Sequence, residues 1–258
     1  MNQSKNKYVD FVSDEHLLKC ISNLYQSYQE AKKGFSKSKF YKNKVDTFKL
    51  VFDSKFNELS EEELIKLEMS RQIDKSVNNA IGTFHEDVLG GIKGYSNGKL
   101  SGYDIKADDD MLFAEIKNKH NTMNSSSAES AFQKLARFAD DNKQAKCYLV
   151  QILAKKSFLH KWEAIINGKE YSHSRVYIIS GDRFYELLTG DSSTFYQLYN
   201  ALPNAVNDFL SHMDDEFTDK MDILSEIKEG AKRSNRNLLD EITFENFYYY
   251  NGFEALDN

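Results

Sequence analysis

Two carboxylates, Asp104 and Glu115, and one ammonium, Lys117, stand close together in the stretch SGYDIKADDDMLFAEIKNKHNT. A pair of carboxylates can hold a hard divalent cation such as Mg2+, which prefers oxygen ligands and keeps several of its waters. A lysine beside that ion can orient or help deprotonate a water and stabilise negative charge. Together these meet the needs of phosphodiester hydrolysis: an attacking water, neutralised charge at phosphorus and a stabilised leaving oxygen. The bland alternative is a hairpin with a charged, solvated face. Residue types alone leave both open.

The acid-x-Lys spacing is common in this chain, and context separates its instances. It occurs at Glu30/Lys32, Asp53/Lys55, Asp104/Lys106, Glu115/Lys117, Asp141/Lys143 and Glu226/Lys228. The pairs at Glu30, Asp53 and Glu226 lie in helical patterns, where residues i and i+2 point apart. The Asp141 pair falls in a polar break after a helix. Glu115/Lys117 instead sits in a strand pattern, with an acid-bearing strand just before it.

The elements that must position these groups follow from hydropathy period. Gly102–Ala107 reads as a strand, Asp108–Asp110 as a tight turn and Met111–Lys119 as a second strand. Leu112, Ala114 and Ile116 alternate with Phe113, Glu115 and Lys117, so the acid and the amine project from one face. A helix over Ala128–Asp140 follows, and Cys147–Ala154 is an apolar run suited to a central strand buried on both faces.

The residues before this unit read as helical: Ser13 to about Lys33, ending at Gly34, then Lys44–Leu59 with Val45, Phe48, Phe52 and Phe56 on one face. Ser60 and Glu63 form a capping-box pattern opening a long helix that Gly90 and Gly91 stop. Asn97-Gly98 is a turn signal. Beyond the unit, the pattern predicts a helical turn or two over Phe158–Ile166, a strand over Ser174–Ser180 and a turn at Gly181-Asp182 into Arg183–Leu188. Pro203 is expected in a first helical turn leading into Ala205–Met213. Helix is expected again over Asp219–Lys232, and a strand or edge segment over Phe244–Phe253.

A chain of 258 residues with net charge −6 can bury a sizeable core, and it is no uniformly cationic nucleic-acid coat. A binding cleft needs only local basic surface. Lysines gather between Lys32 and Lys49, whereas Asp214–Asp222 is acidic; each run is most simply a solvated face. Cys20 and Cys147 lie far apart inside apolar patterns, as buried free thiols do in a reducing compartment. No apolar signal core or membrane-length segment is evident, so a soluble, cytoplasmic protein without membrane partners is expected.

The order helix, hairpin with D…ExK, helix, strand resembles the PD-(D/E)xK nuclease superfamily, with Tyr103 where its proline often stands. More specifically, AEIKNKHNTMNSSSAESAFQKL and SGDRFYELLTG are similar to type II restriction endonucleases that cut GGNCC-like sites, over roughly Phe84–Leu202. The resemblance implies a mixed α/β fold. A restriction-endonuclease-like central sheet would be flanked by helices within one domain, with helical additions over 1–91 and 203–258 around a catalytic core at 92–202. It also implies Mg2+-dependent cleavage of both strands of a palindromic double-stranded DNA site by a homodimer. Asp104 and Glu115 would bind the metal, helped by the Ile116 carbonyl, and Lys117 would position the water. A cognate methyltransferase is the expected system partner, without a stable complex.

Further residues follow from the same resemblance. Glu86, in FHEDVLGG, could add a carboxylate to the metal site, with Asp87 as its neighbour; an exposed helical acid is the alternative. Lys119, His120, Asn121 and Thr122 continue from the active strand toward the phosphate backbone. Asn124 and Ser125 extend that loop toward a groove, and Gln133 and Lys134 could add contacts from the next helix. The alternative is an ordinary capping loop, with Ser127 as cap. Arg175 and Arg183 could read guanines. Trp162, Phe184, Tyr185, Tyr196 and Tyr199 are expected in the core rather than stacked on bases. Two rival functions remain at this stage: a structure-specific or repair nuclease of the same fold, and a non-catalytic DNA-binding module.

Overall fold

The computed structural model describes residues 6–33, 36–98, 102–213 and 223–248. The chain forms two compact units, each drawn from two stretches. One comprises Met1–Leu24 and Ile81–Asp214, the other Tyr25–Ala80 and Asp215–Asn258.

Helix α1 (Asp14–Lys33) opens with the Ser13 hydroxyl accepting from the His16 N–H. Gly34, expected to end it, lies outside the described residues. The single helix expected over Lys44–Leu59 is two: α2 (Lys37–Lys42), capped by Ser36, and α3 (Thr47–Phe56), capped by Asp46. Lys44 has a positive φ of 48° between them, which no helix accommodates. The capping box is present: the Ser60 N–H and hydroxyl both donate to Glu63 Oε2 at the start of α4 (Glu61–Leu89). Gly90 ends α4 where any Cβ would fall 2.7 Å from the Asn97 nitrogen.

The acid-bearing hairpin comes next. β1 (Tyr95–Asn97) pairs antiparallel with β2 (Ile105–Ala107), and β2 with β3 (Leu112–Lys119). Helix α5 (Ser125–Asp141) starts three residues earlier than its period suggests, because Asn124 rather than Ser127 caps it. β4 (Lys146–Leu153) then runs parallel to β3.

The segment expected to be a helical turn instead forms β5 (Leu159–Lys161) and β6 (Ala164–Ile166), the latter in a hairpin with β7 (Lys169–Tyr171). Asn167 and Gly168, at φ 52° and 77°, make its two-residue turn. β8 (Val176–Ser180) pairs parallel with β4 and leads into α6 (Gly181–Thr189).

α7 (Thr194–Ser211) carries Pro203 in its interior rather than in its first turn. α8 (Ile223–Arg233) covers the described part of the helix expected from Asp219; residues 219–222 lie outside the described residues. α9 (Leu238–Phe247) places Phe244 in a helix, not a strand, and the rest of that expected segment lies outside the described residues.

Among the described residues the main sheet has the order β1-β2-β3-β4-β8-β5, parallel in its centre and antiparallel at both flanks. This is the mixed α/β architecture that the resemblance implies. One face of β3 and β4 (Ala114, Ile116, Tyr148, Val150, Ile152) joins Leu17, Phe84, Val88, Phe184 and Tyr185 in a core. The other (Phe113, Cys147, Leu149) packs against Phe132, Leu135 and Ala139 of α5, with Trp162 and Tyr171. The second unit has its own core around Phe40, Leu64, Ile65, Ile227 and Ile242. Among the described residues no helix is long and apolar enough to cross a membrane.

Candidate active site

Asp104 sits one residue before β2, held to β3 by its N–H donating to the Ala114 carbonyl at 2.9 Å. Tyr103 anchors that approach. Its ring meets Phe113 and Phe138 at 5.3 and 5.6 Å, and those two rings stack on each other. The bulk at this position therefore ties the hairpin to α5 and fixes where Asp104 leaves the backbone.

β2 ends before it reaches Ile116, so the ladder is completed by a side chain. The Ile116 N–H donates to Asp104 Oδ2 at 2.6 Å. In a strand the N–H and C=O of one residue leave the same edge, so the Ile116 carbonyl faces the Asp104 side as well.

Glu115 and Lys117 project toward α5 from the opposite side of β3 to Ala114 and Ile116. The Glu115 carboxylate is 12% exposed and is held by two lysines: Lys117 Nζ donates to Oε1 at 2.7 Å, and Lys134 Nζ, from α5, donates to Oε2. Asp104, Glu115 and Lys117 thus converge from the two strands of one hairpin, as their spacing suggests.

The electrostatics of the two acids differ in sign. Burial raises the Asp104 carboxyl, and the charge of Glu115 raises it further; the Ile116 N–H and the two lysines only partly oppose this. Burial also acts to raise Glu115, but the hydrogen bonds from Lys117 and Lys134 outweigh it and hold the group below its ordinary range. Asp104 is therefore short of positive charge and Glu115 well supplied with it.

That asymmetry fits a divalent cation. Two carboxylates and a backbone carbonyl make an all-oxygen donor set, and a magnesium-type ion uses one or two protein carboxylates with water and phosphate completing the shell. Among the described residues no three His, Cys, Asp or Glu side chains form a closed metal cluster. Glu86 is half-buried near the end of α4 and does not join Asp104 and Glu115 as a third ligand in such a cluster. Asp87 is buried; it accepts from the Asn97 amide, and its carbonyl meets His16.

The loop after β3 is mostly open to solvent. Lys119, Asn121, Thr122 and Ser125 are exposed, and Thr122 donates to the Lys119 carbonyl. The Asn124 amide oxygen is engaged in capping α5, and the exposed Gln133 reaches Glu129 at 3.3 Å. His120 lines an open groove of about 500 Å3 with Gln151, Lys155, Lys156, Phe158 and His160. Gln151 is the register partner of Lys117 on β4, which places one wall of the groove beside Lys117. Gln151 and the exposed Lys155-Lys156 pair carry no motif in the sequence; the one signal was a lysine dipeptide just past a central strand.

Other candidates have different roles. Arg175 donates to the Ala139 and Lys143 carbonyls at the end of α5, and Arg183 pairs with Glu186 at 2.6 Å. Trp162, Phe184 and Tyr185 are in the cores as expected, whereas Tyr196 and Tyr199 are exposed at 67% and 71%.

Comparison with known proteins bears on this geometry. The family model of the Eco47II restriction endonuclease matches residues 9–211. The chain is similar to the type II restriction enzyme Sau96I of Staphylococcus aureus, 40% identical over 251 residues that cover 94% of this chain and 96% of that protein. It is also similar to the type II restriction enzyme Eco47II of Escherichia coli, 28% identical over 214 residues covering 79% of this chain and 88% of that protein.

Proposed function

The chain belongs to the Eco47II restriction endonuclease family, and from that premise we propose that it cleaves both strands of duplex DNA at a short palindromic GGNCC-like site, with Mg2+ as cofactor. The observation that carries the chemistry is the junction of Asp104 and Glu115 beside Lys117 on one hairpin.

Asp104, Glu115 and the Ile116 carbonyl hold the cation. A bound Mg2+ supplies charge neutralisation at the phosphate and a water of lowered pKa. Lys117 orients the attacking water and stabilises charge building on the phosphate oxygens. The Ile116 N–H keeps Asp104 aimed at the edge that the Ile116 carbonyl shares. Lys119, His120, Asn121, Thr122 and Ser125, with Lys155 and Lys156 across the groove, contact the backbone of the strand being cut.

Palindromic duplex is matched by two-fold protein symmetry, so the working form is a homodimer with one such site per strand. A methyltransferase of the same specificity protects the host DNA, and both enzymes act in the cytoplasm.

Digestion of linear duplex DNA with and without Mg2+, followed by end sequencing, tests this reading. Discrete fragments with GGNCC-like ends that disappear with EDTA, and with Glu115→Ala, are the expected result. Cutting confined to branched substrates would assign a structure-specific nuclease instead. Metal-independent binding without cleavage would assign a binding module.

A further inference from the structure

Both oxygens of the Glu115 carboxylate are engaged by ammonium groups, but the two lysines arrive by different routes. Lys117 is two residues along the same strand, so the backbone of β3 keeps it on the Glu115 face wherever its head group points. Lys134 comes from α5, whose backbone is pinned by Phe132 and Leu135 in the core while the Lys134 side chain stays 34% exposed. It therefore reaches in from the helix edge, with no backbone tie to β3.

The two acids and two ammoniums balance in charge. A divalent cation at Asp104 and Glu115 must take a Glu115 oxygen. Like-charge repulsion then opposes keeping both lysines on the same carboxylate.

We propose that Lys134 is a positioning residue for Glu115: it holds the carboxylate oxygen that the divalent cation takes, competes with the cation for it, and turns its ammonium to the scissile phosphate once displaced. This rests on the metal-dependent nuclease reading and adds to it a second lysine from outside the hairpin.

The test compares Lys134→Met and Lys134→Arg with wild type. Calorimetric titration with Mn2+ in the absence of DNA reads the competition directly, and single-turnover cleavage of duplex DNA reads the second role. Lys134→Met should bind Mn2+ about 2- to 5-fold more tightly, the size of one partly exposed ion pair. It should nevertheless cut about 100-fold more slowly, as when one group stabilising the transition state is removed. Lys134→Arg keeps the charge and should stay near wild type in Mn2+ affinity while recovering most of the cleavage.

A salt bridge with only a structural role would leave the cleavage rate of the folded Lys134→Met protein unchanged. Unchanged or weaker Mn2+ binding by Lys134→Met, or wild-type cleavage by it, overturns the proposal, as does absence of Mn2+ binding in both proteins. Mn2+ binding by a wild type that cuts no duplex sinks the nuclease reading instead, and the affinity comparison still decides the competition. Lys134→Gln provides the same comparison if the Met variant does not fold.

Discussion

Neutralising the two acids one at a time should move stability in opposite directions while abolishing cleavage in both cases. Glu115 accepts a hydrogen bond from each of two ammoniums, and its carboxylate is 12% exposed. Hydrogen bonds to charged groups contribute about 1.5–3 kcal/mol each. The lysine side chains are 31% and 34% exposed, so solvent screening brings the pair to about half that sum, about 1.5–3 kcal/mol in all. For a unit of this size that is a fall in melting temperature of roughly 3–12 °C for Glu115→Gln in EDTA. Asp104 behaves otherwise: burial and the Glu115 charge both disfavour its ionised form, whereas an Asn oxygen still accepts the Ile116 N–H. Asp104→Asn should therefore melt above wild type. Trp162 is the only tryptophan and lies buried against Phe132 in the α5 core, so its fluorescence reports on the unit that holds the site. Adding Mg2+ at ten times its Kd should stabilise wild type by about 1.4 kcal/mol and leave Asp104→Asn unmoved. A Glu115→Gln protein at least as stable as wild type, or an Asp104→Asn protein less stable, refutes the electrostatic account.

Burial pushes the His85 imidazole down to about 4 from an ordinary 6.5, so the fold holds its neutral form beside the Tyr185 hydroxyl. The stability it contributes is complete above pH 6.5 and is lost as pH falls through that value toward 4, so His85→Gln should show a shallower loss than wild type in melts over that range; parallel curves would exclude it. Arg175→Met should cost about 1–3 kcal/mol by freeing the carbonyls at the end of α5, yet leave the cleaved sequence unchanged. A relaxed cut-site consensus would restore it as a base reader. Burial pushes the Cys147 thiol up to about 12, so it should resist iodoacetamide at pH 8 until denaturant is added; peptide mass spectrometry would reveal early labelling.

How far residues speak for themselves depends on how local their causes are. The β3 strand was legible because alternation of Leu112, Ala114 and Ile116 with the charged residues has period two, and both faces obeyed it. The Ser60–Glu63 box was legible because its bonds close within one turn. The Phe158–Ile166 stretch misled because strands of three residues are too short to display a period, and the Asn167-Gly168 turn that pairs two of them lies just beyond it. Pro203 misled for a different reason. Its preference for a first turn is a weak prior, and burial of Leu198 and Ala205 on either side keeps α7 helical through it. Asn124 and Ser127 offer the same capping chemistry, and only the actual chain path chose the earlier residue.

The site divides along the same line. The convergence of Asp104, Glu115 and Lys117 could be anticipated because a tight hairpin converts sequence spacing into spatial spacing. Lys134 lies 19 residues from Glu115, and nothing in AFQKL distinguishes it from a solvated helical lysine. What brings it in is the seating of Phe132, Leu135 and Ala139 on Phe113 and Leu149, which sets the rotation of α5 about its axis. Rotation about that axis, unlike helix content, is decided by which side chains interlock across the interface. The charge balance of the site is therefore a property of core packing. Repacking Leu135 or Phe132 would shift Lys134 relative to Glu115 without touching an ionisable group.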